Sequence, residues 1–200
     1  MGGRIGRMLW LKKWWVIAIL AVVALYGALV IYRVFAIGVE EKTARAVERI
    51  HGQKLVMDDV LGVNMPPVPD PALVDATVEG VDANENGIRD DVELAIFEKY
   101  PDSARTRAPM LQYARALQME FTEVFNSETL VAVIQEEDRG YFCAGDVFQS
   151  TLLDETIKNV ENLVLNTEAR EKKYKESRTK YMTSYGDIKG KFDCDLDILL

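Results

Sequence analysis

Histidine is nearly absent from this chain of 200 residues: a single one, His51, stands among 32 acidic and 24 Lys and Arg side chains. That excludes a catalytic centre or zinc site built on paired imidazoles. Cysteine is almost as scarce, with Cys143 and Cys194 alone, so a multi-cysteine metal site and a densely cross-linked mini-domain are excluded too. No Ser or Cys stands in a nucleophile motif, and no internal repeat is visible. Acid is missing altogether before Glu40. Arg4, Arg7, Lys12, Lys13 and Arg33 are the charged residues of that region.

Between these cations lies what the chain has in quantity, an uncharged run of 19 residues, 14–32. As a helix it would cover roughly 28 Å, close to the hydrocarbon thickness of a bilayer. Trp10, Trp14 and Trp15 at one end and Tyr26 and Tyr32 towards the other resemble interfacial belts. The cations preceding the run place residues 1–13 in the cytoplasm and make residues 14–33 a signal anchor. A cleaved signal peptide shares the basic start and apolar core, but this core is longer than a signal needs and no clear Ala-x-Ala site follows. An uncleaved anchor is therefore favoured. Beyond Arg33, 19 Lys and Arg face all 32 acids, a formal charge of about −13. Such a region repels nucleic acid and anionic lipid, and belongs on the periplasmic or extracellular side. In that oxidising setting Cys143 and Cys194 are expected to form a disulfide, two free thiols being the alternative.

The remaining chain reads as helical. Residues 34–61 carry apolar positions such as Val39, Val47 and Ile50 at helical intervals and suggest a stalk, in which His51 is expected to be solvated. Residues 62–71 hold four of the six prolines and read as a semi-rigid linker. The domain proper is expected over 72–200. Met110, Ala114, Leu117, Phe121 and Val124 step by four and three along one helix face, with Pro109 suited to its first turn. Residues 128–137 read as helix for want of a partner strand, and 139–145, with Gly140 and Gly145, as a turn. Leu153, Ile157, Val160 and Val164 define a further helix capped by Ser150 or Thr151. A charged helix follows from Ala169 to Tyr185, resting one tyrosine edge on the core.

The most specific stretch is residues 82–93, Asp-Ala-Asn-Glu-Asn-Gly-Ile-Arg-Asp-Asp-Val-Glu. Its oxygen side chains fall at places 1, 3, 5, 9 and 12, with glycine at 6 for a sharp turn. Calcium prefers six to eight oxygens, and this spacing supplies them. Asp82, Asn84 and Asn86 offer side-chain oxygens, Ile88 its backbone carbonyl, Asp90 a direct or water-mediated contact and Glu93 both carboxylate oxygens. A plain Asn-Gly turn before an acid-rich helix start is the alternative, though it does not require Asp82, Asp90 and Glu93 at these offsets.

The pattern resembles the EF-hand-type calcium loop as found in thrombospondin type 3 repeats and in many bacterial envelope proteins. Ile88 at place 7 and Arg89 at place 8 agree with the thrombospondin-like variety. The likeness covers 12 residues and implies a calcium ion and a loop shape, not an activity. Residues 71–81 are too short for a good entering helix and no second loop is present. The two asparagine ligands imply weak binding, about 10⁻⁴ to 10⁻³ M.

Together these observations predict an all-α protein with a single membrane span, a helical stalk and a small extracytoplasmic domain with one calcium loop. The expected role is structural or protein-interacting, with an envelope protein as a possible partner and no small-molecule substrate identified. An accessory subunit of a membrane complex is the second reading. A metal-dependent hydrolase is the third, and it lacks an evident base and nucleophile.

Overall fold

A computed structural model describes residues 3–182 and 193–196, with side chains from residue 14. Among the described residues there are eight helices and no strand, so the all-α expectation holds. The chain divides into two compact units, Met1–Ala44 and Arg45–Leu200.

The first unit is carried by α1 (Gly3–Gly52), which continues without a break into the second. Within it, Trp14–Gly52 contains a window of mean hydropathy 2.5 with none of its residues buried, long and apolar enough to cross a membrane. Aliphatic side chains such as Leu25 and Val34 point outward, which suits lipid and not water.

The second unit starts at Arg45, earlier than the proline-bounded domain expected from sequence. Ala46, Ile50, Leu55 and Val60 are buried in it, so much of the supposed stalk belongs to the core. The only histidine is engaged as well: Nδ1 of His51 lies 2.8 Å from Glu136, whose carboxylate also takes Lys54 and Arg139. Helix α2 (Met57–Leu61) follows, closed by Gly62 in the left-handed conformation. Residues 65–70 are non-helical, as their prolines require, and Asp70 caps the four-residue α3 (Pro71–Val74).

Helix α5 (Ala104–Thr122) is the centre of the unit, with every residue from 107 to 121 buried. Its main apolar face meets α4 (Asp90–Lys99) and α7 (Ser150–Val164) through Ile96, Met110, Leu117, Ile157 and Val160. Met119 joins Leu130 and Val133 of α6 (Ser127–Gly145) in a second cluster that includes Ile50. Two local expectations shift. Ser103 caps α5 by accepting from the Thr106 N–H, so the helix starts a turn earlier and Pro109 lies inside it. Residue 149, without a side-chain cap bond, precedes α7 in place of Ser150 or Thr151.

The expected turn at 139–145 is helix instead. Gly140 serves a close crossing: a Cβ there would lie 2.9 Å from Cα of Tyr113 on α5. Cys143 ends this helix on its buried side and is bonded to Cys194, giving the expected disulfide.

Helix α8 (Glu168–Tyr181) is held differently from the rest. Its two buried residues, Arg170 and Ser177, are polar. Arg170 donates to the carbonyls of Val74, Thr77 and Val78 and pairs with Asp75. Ser177 and Arg178 donate to Glu120 on α5, and Arg178 also to Glu137 on α6. Tyr174 rests on the core edge as expected, while Tyr185 lies outside the described residues.

Candidate metal centre

The loop at 82–93 is a tight turn leading directly into α4, and its first half is shaped by its own acid. Asp82 accepts from the backbone N–H of Asn86 at 3.2 Å and of Gly87 at 2.9 Å. That closure forces Gly87 to φ 83° and Glu85 to φ 56°, both in the left-handed region. Asn86 Oδ1 accepts from the Ile88 N–H, and the Ile88 side chain drops fully into the core. Asp90 opens α4, where acid suits the helix dipole. Its N–H donates to Val81 and its Oδ1 accepts from Ala83, which joins the two ends of the loop.

Glu93 lies one turn into α4, fully buried, and faces the asparagines. Its Oε2 accepts from Nδ2 of Asn84 at 3.1 Å and of Asn86 at 2.9 Å. Asn84 Nδ2 also reaches the carbonyl of Asn64. Thus Asp82, Asn84, Asn86, Asp90 and Glu93, which the sequence singled out, share one small region, and Ile88 joins it through its N–H to Asn86. Among the described residues, no three His, Cys, Asp or Glu side chains converge closely enough by themselves to hold an ion. The asparagine amides stand between the carboxylates.

Three oxygens of this group are left over. Asn84 Oδ1, Asp90 Oδ2 and Glu93 Oε1 are buried and accept no hydrogen bond among the described residues. A buried acceptor without a donor is costly, and buried carboxylate charge more so. The electrostatics agree. Burial pushes Glu93 up to about 7, with the charges of Asp59 and Asp82 adding and the asparagine amides opposing. Asp82 and Asp90 are also raised, chiefly by burial. Oxygen-rich and desolvated, the loop fits a hard divalent ion by the chemistry of its donors.

Two arginines whose burial the sequence did not reveal, Arg89 and Arg170, frame the loop. Arg89, at place 8, is fully buried and donates to the carbonyls of Leu163 and Val164 at the end of α7, while pairing with Asp91. Gly80, at φ 70°, lies under it, and a Cβ there would stand 2.2 Å from Arg89 Cδ and 3.2 Å from Nη2 of Arg170. Only the glycine before the loop hinted at such crowding. A cleft of about 520 Å³ opens beside the loop, lined by Asp82, Asn84 and Asn86 on one side and by Lys54 and Arg115 on another.

Comparison with family models, curated proteins and solved structures finds no match to this chain.

Proposed function

We propose that the chain is a membrane-anchored, extracytoplasmic helical module whose loop at 82–93 binds one calcium ion as a structural clamp. The observation that carries this reading is the set of buried, donorless oxygens on Asn84, Asp90 and Glu93. Calcium would be held by Asp82, Asn84, Asn86, the Ile88 carbonyl, Asp90 and Glu93. When bound, the ion supplies positive charge to a desolvated cluster of acids, and no chemistry beyond that is asked of it. To hold the ion, Asn84 and Asn86, whose amide nitrogens here donate to Glu93, would present their oxygens instead.

Anchoring by α1, cytoplasmic residues 1–13 and a periplasmic or extracellular domain complete the reading, supported by the basic start, the apolar helix and the disulfide. The role is structural or protein-interacting within the envelope. With millimolar calcium outside and a dissociation constant near 0.1 mM, binding would add about 1.4 kcal/mol. That magnitude suits a clamp. The deciding experiment is thermal unfolding of the full chain in detergent or nanodiscs, in calcium and in chelator. Calcium should raise the midpoint in the wild type and leave Glu93→Gln unmoved; an unresponsive wild type would remove the calcium reading.

A second reading, an accessory subunit of a membrane complex, draws on the apolar side chains left exposed around α2 and the proline segment. Leu61 is 53% exposed, Val63 69% and Val68 83%. Capture of one stoichiometric membrane partner, lost on changing Val63 and Val68 to Ser, would favour it.

A further inference from the structure

Arg115 of α5 is only 2% exposed, and its position against the loop is intimate. Its Cγ and Cδ would lie 3.2 and 3.3 Å from a Cβ on Gly87, the residue whose N–H closes the turn onto Asp82. Arg115 lines the same cleft as Asp82, Asn84 and Asn86. Its Nη2 pairs with Asp195, whereas Nε and Nη1 are buried without a hydrogen-bond partner among the described residues. Lys54, the other cation of that cleft, lies 3.5 Å from Asp195 and 3.3 Å from Glu136.

Asp195 is thus the common counter-ion of both cations, and it is held firmly. Its side chain is 1% exposed and also accepts from the Leu55 N–H at 3.1 Å and from Arg139 at 3.0 Å. Its own N–H donates to Gln112 at 2.9 Å. The preceding residue, Cys194, is bonded to Cys143 of α6. Arg115 leads the charges that bring the Asp195 carboxyl below its ordinary value against the effect of burial.

We propose that Asp195 is a positioning residue for calcium: it holds Arg115 and Lys54 away from the loop, so that these built-in cations do not compete with the ion for Asp82. The inference rests on the calcium reading above and extends it to a residue 102 places beyond the last loop ligand, Glu93. Released from Asp195, a guanidinium whose Nε and Nη1 are buried without partners, on a stem packed against Gly87, would turn toward the Asp82 carboxylate that lines the same cleft. A positive side chain that close to a divalent site lowers its affinity by Coulomb repulsion and by occupying the ligand.

Calcium titration by calorimetry on the full chain in nanodiscs tests this, with chelator melting as a second readout. Wild type should bind one calcium, and Asp195→Asn should bind about tenfold more weakly. Asp195→Asn combined with Arg115→Met should recover to within about threefold of wild type, because the thioether chain keeps the packing on Gly87 and removes the competing charge. A merely structural Asp195 predicts the opposite, a double variant as weak as the single one, and that result would overturn the proposal. Arg115→Met alone guards against misfolding of the Asp195 variant. It should bind at least as tightly as wild type, and weaker binding would also overturn the proposal. A wild type that takes up no calcium removes both readings; binding in the wild type with Asp195→Asn unchanged removes this one alone.

Discussion

Nη1 of Arg89 lies 3.1 Å from the carbonyl oxygen of Val164, so the eighth residue of the loop finishes the last turn of a helix 75 positions away. Helix ends leave carbonyls without donors, and here the guanidinium supplies them, with Leu163 taken at 2.8 Å. The loop and α7 are therefore one mechanical piece. Arg89→Met removes those donors and strands Asp91, at a cost of about 2–4 kcal/mol in urea unfolding of the full chain. Arg89→Lys should recover little of this, because one ammonium cannot span the fork of acceptors.

The crossing at Gly140 has a similar test. Alanine there would set its Cβ against the Tyr113 backbone, which has no flexible end to move aside. Better helix propensity returns about 1 kcal/mol, against an overpacking cost of about 1–3. Gly140→Ala should lower the thermal midpoint, and Gly140→Val should lower it further.

In chelator, Glu93 sets a pH dependence whose direction follows from its displacement. With its folded value up at about 7, above an ordinary 4.5, its contribution is fully present below about 4.5 and is lost as pH rises through 7. The calcium-free protein should therefore melt lower at pH 8 than at pH 5.5. Calcium should restore more at pH 8, since protons no longer occupy the site. Glu93→Gln should flatten this part of the profile, which melting curves across pH would show.

A second acid acts in the same sense further up the scale. Burial lifts Glu137 to about 8, against the pull of Arg178 and with Glu120 adding to the rise. Stability tied to its proton is lost as pH passes 8. Glu137→Gln keeps a hydrogen-bonding group without the charge, so the variant should resist alkaline unfolding better than wild type, as circular dichroism at pH 9 would register.

Repeating apolar positions told most of the fold in advance. Met110, Ala114 and Leu117 place α5, and Leu153, Ile157 and Val160 place α7, because a helix buries one stripe and the spacing of that stripe is local information. That the oxygen side chains of 82–93 gather in one turn was legible for a similar reason: contiguous residues make it. What escaped was settled by partners distant in the chain. Gly140 carries the same letter whether it bends a turn or admits a neighbouring helix. The burial of Arg89, Arg115 and Arg170 cannot be read from the sequence, because the carbonyls and acids that receive them are far along the chain. Residues 45–61 read as a stalk because their charge conceals a stripe of Ala46, Ile50, Leu55 and Val60 whose other half is contributed by α5 and α6.

Helix α8 is fastened chiefly by Arg170, Ser177 and Arg178 through hydrogen bonds and ion pairs, with Tyr174 and Tyr181 as its apolar contacts on the two clusters. Heat capacity of opening scales with apolar exposure, so lifting this helix should absorb less than opening α5, which is buried throughout. Its release is then governed by salt and by guanidinium, which competes for the same carboxylates, more than by temperature. Amide protons of residues 168–181 should exchange ahead of those in α5, and faster in guanidinium chloride than in urea of equal denaturing strength. The last described helix thus answers to the ionic composition of its surroundings, while the bundle below it answers to heat.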